Sequence, residues 1–454
     1  MDCNAAFADF AAGLPEDLER MYRAGDFEAA HHAIGRYLAR GTLPPVGRGA
    51  LAALQEMMRR LPENYTLTRA EAIARLRAEI PDFTDGEFDT LVDAGRIDWR
   101  YLDGTPRYLN RFVEALRLYP DMNARGLRPE SQGTGLRDRV IAAMEAGEGL
   151  GARITLRASV TPSPALLEAN PGARICAWLP VPAACELQSD IEILDATPGA
   201  HLAPEDAPQR TLYWEGGAAD APFTVTYRYR IRAPYRRMDQ LRPAAEQPRF
   251  DLEEQPPHIL FTPWLRSLCA EITGGCRGPL EKARAIYDYV TCNTRYRYQP
   301  AYVCLESIAD TCAKTGWGDC GVMALLFITL CRVAGIPARW QSGLYVTPDS
   351  AGAHDWAQFY IAPYGWLWAD CSFGSGAFRV GNEKRRLHYF GNLDPLRMVA
   401  NRSFYAQLTP PDESWRNDPY DNQTGEATLD GRGVTGEALV RSQEVVDFAF
   451  DAAL

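Results

Sequence analysis

Gly316-Trp317-Gly318-Asp319-Cys320-Gly321 runs directly into the apolar stretch Val322-Met323-Ala324-Leu325-Leu326-Phe327-Ile328-Thr329-Leu330, and the reading of this junction decides the fold. The apolar stretch is long and branched enough for a buried helix, and Gly335-Ile336-Pro337 stops it. Cys320 therefore stands at a helix N-terminus. Unpaired N–H groups and the helix dipole favour a thiolate over a thiol there. Asp319 reads as the N-cap, with its carboxylate tied to backbone N–H groups.

A nucleophilic thiolate calls for a base and an orienting carboxylate, and both follow. His354 lies in Ala353-His354-Asp355-Trp356-Ala357-Gln358-Phe359-Tyr360-Ile361, whose aromatic and β-branched content predicts a strand. Asp370 closes a second run, Gly365-Trp366-Leu367-Trp368-Ala369-Asp370. The turn Pro363-Tyr364-Gly365 between them predicts a hairpin with His and Asp on adjacent strands. In a Cys-His-Asp set the imidazole takes the thiol proton and the carboxylate fixes the ring's tautomer. His388 is a rival base, but it follows Lys384-Arg385-Arg386 and lies beyond Asp370. Trp317 and Trp356 are candidate walls of a water-excluding cleft; the alternative is that they are ordinary core aromatics.

Together these motifs resemble the core of the transglutaminase-like superfamily. The resemblance rests on Cys320 opening a helix that ends in Cys331-Arg332-Val333-Ala334-Gly335-Ile336-Pro337-Ala338-Arg339. It also rests on His354-x-Trp356, on Gly365-Trp366 leading to Asp370, and on the lead-in Lys282-Ala283-Arg284-Ala285-Ile286-Tyr287-Asp288-Tyr289-Val290-Thr291. It runs from about Pro279 to Asn401. Two positions depart from the pattern: Cys371, where proline is common, and Asp355, where a small residue is common. A carboxylate beside His354 bears on the imidazole's pKa.

The resemblance implies a papain-like core in which Cys320 attacks an amide carbonyl and forms a thioester, with the Cys320 N–H as one oxyanion donor. The second donor is implied to be an upstream side chain. Tyr298 is preferred over Tyr296 and Gln299. The expected activity is cysteine-dependent acyl transfer on peptide or amide bonds, hydrolytic as in a protease or amidase. A transglutaminase or peptide cyclase using an amine acceptor is the alternative within that class. A catalytically silent binding protein is the alternative from another class. No cofactor is expected, and no calcium loop is evident.

Composition sets the outer bounds. The chain has 454 residues, enough for several domains, with 46% hydrophobic and 24% charged residues. A net charge of −11 argues against non-specific binding to nucleic acid or an anionic membrane and says nothing sharper; a peptide, a protein or a small amide as substrate is what the resemblance implies. No apolar run is long enough for a membrane span, and Met1-Asp2-Cys3-Asn4 does not open a signal peptide. Eleven dispersed cysteines, an odd number, fit reduced thiols in the cytoplasm. No Cys-x-x-Cys pair is present, so no metal site is expected.

The fold class expected is α+β, with the papain-like core preceded by a helical N-terminal region and a small antiparallel β-sandwich. Residues 1–150 read as helical, with a winged-helix outline over 66–109. There Thr68-Arg69-Ala70-Glu71 forms a capping box and Asp103-Gly104 turns a hairpin. That outline carries nine acids against six arginines, which argues against DNA. Residues 126–135 read as a link. Five short runs between Pro/Gly turns assign 151–235 to the sandwich. Residues 236–278 read as an extended linker, and 279–454 as the catalytic domain.

Overall fold

The computed structural model describes residues 3–129 and 135–454, so half of the expected link at 126–135 falls outside the described residues. The helical front includes α1 (Pro45–Asn64), α2 (Arg69–Arg77) and α3 (Asp85–Asp93), followed by the hairpin strands β1 (Trp99–Leu102) and β2 (Thr105–Tyr108). The Thr68/Glu71 capping box forms, and a second one at Thr84/Glu87 opens α3. Asp103 and Gly104 both take positive φ, as a two-residue hairpin turn demands. Arg69 pairs with Asp85 and Asp89 and Arg77 with Asp85, while Arg125, beyond the hairpin, pairs with Asp82 and Glu87.

The five expected strands follow as β3 (Gly149–Pro162), β4 (Arg174–Pro180), β5 (Gln188–Ala196), β6 (Thr211–Gly217) and β7 (Phe223–Pro234). Residues 235–262 then cross without regular structure beyond one short 3₁₀ turn. The linker is shorter than its expected span, because Pro263–Thr273 is helix α4, capped by Thr262 and packed into the core through Leu265 and Cys269.

The core proper comprises α5 (Pro279–Asn293), α6 (Cys320–Val333), β8 (Ala338–Thr347), β9 (Ser350–Ile361), β10 (Gly365–Ala369), α7 (Cys371–Arg379) and β11 (Arg397–Asn401). Its antiparallel sheet runs in the order Phe390–Gly391, β10, β9, β8, β11. Residues 321–332 of α6 are all buried, as an apolar helix with no polar face requires. Strand alternation divides the sheet's side chains. Ala357, Phe359, Leu367 and Ala369 share a core with α6, whereas Leu344, Val346, Trp356 and Trp368 pack towards the sandwich.

The chain's end does not belong to the catalytic domain as expected. β12 (Glu426–Leu429) pairs with β4, and β13 (Leu439–Phe450) pairs with β3 along nearly its whole length. The sandwich is therefore two sheets, one ordered 432–433, β12, β4, β6, 201–202 and the other β13, β3, β7, β5. The physical reason is edge coverage: without β12 and β13, β4 and β3 would present unpaired backbone and the apolar row Ile154, Leu156, Ala158 and Val160.

Candidate active site

Cys320 opens α6 after the N-cap Asp319, whose Oδ1 accepts from Val322 N–H at 3.2 Å and from the Tyr302 hydroxyl at 2.6 Å. The sulfur is half-buried and faces a cleft of about 740 Å³. Three parts of the chain line that cleft. The helical front supplies Asn64 and Arg111, the core supplies Tyr298, Cys320 and Asp355, and the 417–441 segment supplies Asp421 and Gln423.

His354 and Asp370 meet as expected. His354 Nε2 lies 2.8 Å from Asp370 Oδ2, and both side chains are buried. Asp370 directly follows β10 and caps α7, so its Oδ1 also accepts from Phe373 N–H (2.9 Å) and Ser372 Oγ (3.0 Å). Arg397, fully buried on β11, places Nη1 2.9 Å from Asp370 Oδ2 and Nη2 3.0 Å from Asp394. Burial alone would raise Asp370, but His354 and Arg397 outweigh it and hold the carboxyl far below its usual range. Burial lowers His354, with Asp370 opposing, so the imidazole is neutral at rest. An ionised acceptor at Nε2 puts the ring proton there and leaves Nδ1 as the basic atom.

Arg397 reaches this position through a bulge. Gly343 lies opposite His354, and the pairing of β8 with β11 shifts register between Ser342 and Gly343. A Cβ on Gly343 would stand 1.9 Å from the Met398 carbonyl oxygen, so only glycine admits β11 here.

The sulfur's partner is not His354. Among the described residues no hydrogen bond joins the two, and Cys320 Sγ instead lies 3.2 Å from Asp355 Oδ2. Neighbours on a strand point to opposite faces. His354 enters a ring cluster with Tyr345, Trp356 and Phe373, and Asp355 turns to Cys320. The surroundings of the sulfur work against the thiolate that the helix dipole favours. Burial pushes the Cys320 thiol well above its ordinary range, and Asp355 and Asp319 push it further.

Tyr298 lines the cleft beside Tyr296, their rings 5.5 Å apart, with the Arg111 guanidinium 3.9 Å above Tyr298. Trp317 and Trp356 do not line it. Trp317 packs against the core of the helical front, and Arg295 and Arg297 lie over its ring. Trp356 is fully buried on the sandwich side, its indole N–H donating to Gln341 Oε1 at 2.7 Å. His388 is buried, stacks on Tyr235 and is not part of the cleft.

Several residues escaped sequence reasoning. Gln423 Nε2 donates to Asp355 Oδ1 (2.6 Å) and to the His354 carbonyl (2.9 Å). Asp421 Oδ1 accepts from Ser342 Oγ at 2.6 Å and from Asn401. Asp355 itself stood out only as a departure from the family pattern. Nothing in the local pattern of 418–423 marks it as cleft floor.

Residues 266–371 match the transglutaminase-like superfamily, so this segment carries that superfamily's core. The match begins one helix earlier than the motifs alone indicated. No curated protein sequence matches the chain. Among solved structures, a candidate cysteine protease from Cytophaga hutchinsonii aligns over 66% of this chain and 91% of its own, at 15% identity and TM-score 0.37. The periplasmic domain of TgpA from Pseudomonas aeruginosa aligns over 54% of this chain and 93% of its own, at 14% identity and TM-score 0.29.

Proposed function

We propose that the chain is a cysteine-dependent acyl-transfer enzyme acting on peptide or amide bonds, with water as the acyl acceptor. The observation that carries this reading is a half-buried cysteine at a helix N-terminus in a cleft large enough for a peptide segment, with the buried His354–Asp370 pair starting one residue along the strand from Asp355, the sulfur's neighbour. Cys320 attacks the carbonyl carbon, and His354 Nδ1 accepts the thiol proton. Asp370, backed by Arg397, keeps Nε2 protonated and stabilises the imidazolium. At rest the thiol bonds Asp355 and His354 faces away, so the proton transfer requires the Cys320 and His354 side chains to be brought together in the Michaelis complex, where catalytic hydrogen bonds commonly tighten. The Cys320 N–H and Tyr298 serve the oxyanion. Eleven free cysteines support a reducing, cytoplasmic setting.

The deciding experiment is peptide mass spectrometry after incubation with a diverse peptide and amine library, wild type beside Cys320→Ala. Cys320-dependent gain of one water per cleaved peptide is the expected result. Loss of ammonia with incorporation of an amine would replace water by an amine acceptor. The thiol's contact with Asp355 favours one other reading, a binding protein with an inert cysteine. Selective alkylation of Cys320 at neutral pH would exclude that reading.

A further inference from the structure

Among the described residues, Asp355 is the one polar side chain whose hydrogen bond reaches the reacting sulfur, and its surroundings are built around a proton. Oδ2 lies 3.2 Å from Cys320 Sγ, and Oδ1 accepts from Gln423 Nε2 at 2.6 Å. Asp421 is buried in the lining of the same cleft and is the largest charge influence on the Asp355 carboxyl. Asp421 Oδ1 is held by Ser342 and Asn401, but its Oδ2 is buried and finds no donor among the described residues. Two neighbouring buried carboxyls, one with an oxygen that finds no donor among the described residues, are satisfied when they share a proton.

The other charged and titratable groups facing the pair do not replace that proton. Asp319 and Cys320 at the start of α6 and Asp418 in the 417–421 segment add negative charge or none. Tyr302 donates to Asp319, and Arg111 acts on Asp319 from the cleft rim. His354 is committed to Asp370. Consistent with the geometry, burial and Asp421 hold Asp355 well above the usual carboxylate range. Burial and Asp418 raise Asp421 to about 7. The macroscopic proton belongs to the pair.

We propose that Asp355, sharing a proton with Asp421, is a second catalytic residue at Cys320: it keeps the nucleophile a thiol at rest and delivers the pair's proton to the leaving amine. This rests on the acyl-transfer reading above. His354 and Asp355 have environments that favour opposite protonation states, which divides base and acid between them. In acylation the S–C bond forms, the thiol proton passes to His354 Nδ1, the C–N bond breaks, and the Asp355/Asp421 proton goes to the leaving nitrogen. In deacylation water attacks the thioester and its proton returns to Asp355. The C–S bond breaks, and the sulfur recovers its proton from the imidazolium. Each cycle consumes one water and restores every group.

The test uses the full chain as wild type, Asp355→Asn and Asp421→Asn. Alkylation of Cys320 by iodoacetamide is followed by peptide mass spectrometry across pH. Turnover is followed on p-nitrophenyl acetate, whose leaving group needs no proton, and on the peptides of a casein digest. Asp355→Asn should move the alkylation profile to lower pH by about one unit, about tenfold faster at neutrality. Its kcat/KM on peptides should fall about 100-fold or more beyond any fall on the ester. Asp421→Asn, which leaves Asp355 in place but removes the shared proton, should show the same bias against peptides. An unchanged alkylation profile, or equal losses on peptide and ester, overturns the proposal. A wild type with no Cys320-dependent turnover of either substrate overturns the acyl-transfer reading itself, and the acid role with it.

Discussion

Asp370 is fully buried between the His354 ring N–H and the Arg397 guanidinium, so removing its charge has consequences of two kinds. Asp370→Asn presents an amide to His354 Nε2 and disfavours the tautomer that leaves Nδ1 basic. Turnover should fall about 10³–10⁴-fold. The same change leaves Arg397 with Asp394 as its remaining counter-charge, and loss of one member of a buried ion pair costs about 3–5 kcal/mol. A thermal melt and a turnover assay on one preparation check both, and full activity with an unchanged melt would refute this account of the dyad. Because the folded carboxyl is held low, its stabilisation is present above the unfolded pKa of about 3.9 and is lost as pH falls below it. At this scale His354 and Asp370 were legible because a hairpin brings them together. The partners Arg397 and Asp394 were not, because nothing local ties them to Asp370.

The N-terminus of α6 shows the same contrast one level up. Its apolar run, its Asp319 cap and its stop at Gly335 are all local signals, and all three form. What the run could not show is how tightly other elements close on its first turn. A Cβ on Gly321 would come 2.2 Å from the Tyr302 hydroxyl, 2.7 Å from Asp355 Oδ2 and 2.8 Å from the ring of buried Trp340, all side-chain atoms rather than backbone. Gly321→Ala should therefore displace Tyr302 and Asp355, press on the Trp340 ring and leave the helix formed. Alanine is also the better helix former, by about 1 kcal/mol in a helix interior. The expected outcome is a near-native circular dichroism spectrum with a changed Cys320 alkylation rate. An unchanged alkylation rate would mean that the first turn tolerates the methyl group. Helix, helix and hairpin at 66–109 were equally readable, since caps and a two-residue turn are written in adjacent residues.

At the scale of the whole molecule the cleft depends on contacts that no local pattern encodes. Arg60 of α1 donates to the carbonyls of Arg416 (2.6 Å) and Asn417 (2.8 Å), more than 350 positions away in the chain. Glu426, the first residue of β12, accepts from the N–H groups of Asn417 and Asp418, both at 2.8 Å. It thereby ties the cleft floor to the sandwich. The return of β12 and β13 was missed for the same reason: an edge strand is recruited by the sheet it completes, not by its own neighbours. Glu426 also makes this tie sensitive to pH. Burial, only partly offset by Arg416 and the two N–H donors, raises its carboxyl to about 7. A folded pKa above the unfolded value of about 4.3 means that the native state holds the proton more tightly. Its stabilising contribution is therefore complete below about pH 4.3 and is lost as pH rises through 7, by about 2–4 kcal/mol. Glu426→Gln cannot ionise, though its amide NH₂ meets an N–H donor and lowers stability at every pH. Wild type should thus lose melting temperature between pH 5.5 and 8 more steeply than the variant. Parallel melting curves over that range would show that Glu426 is already ionised in the folded chain, held by its two N–H donors.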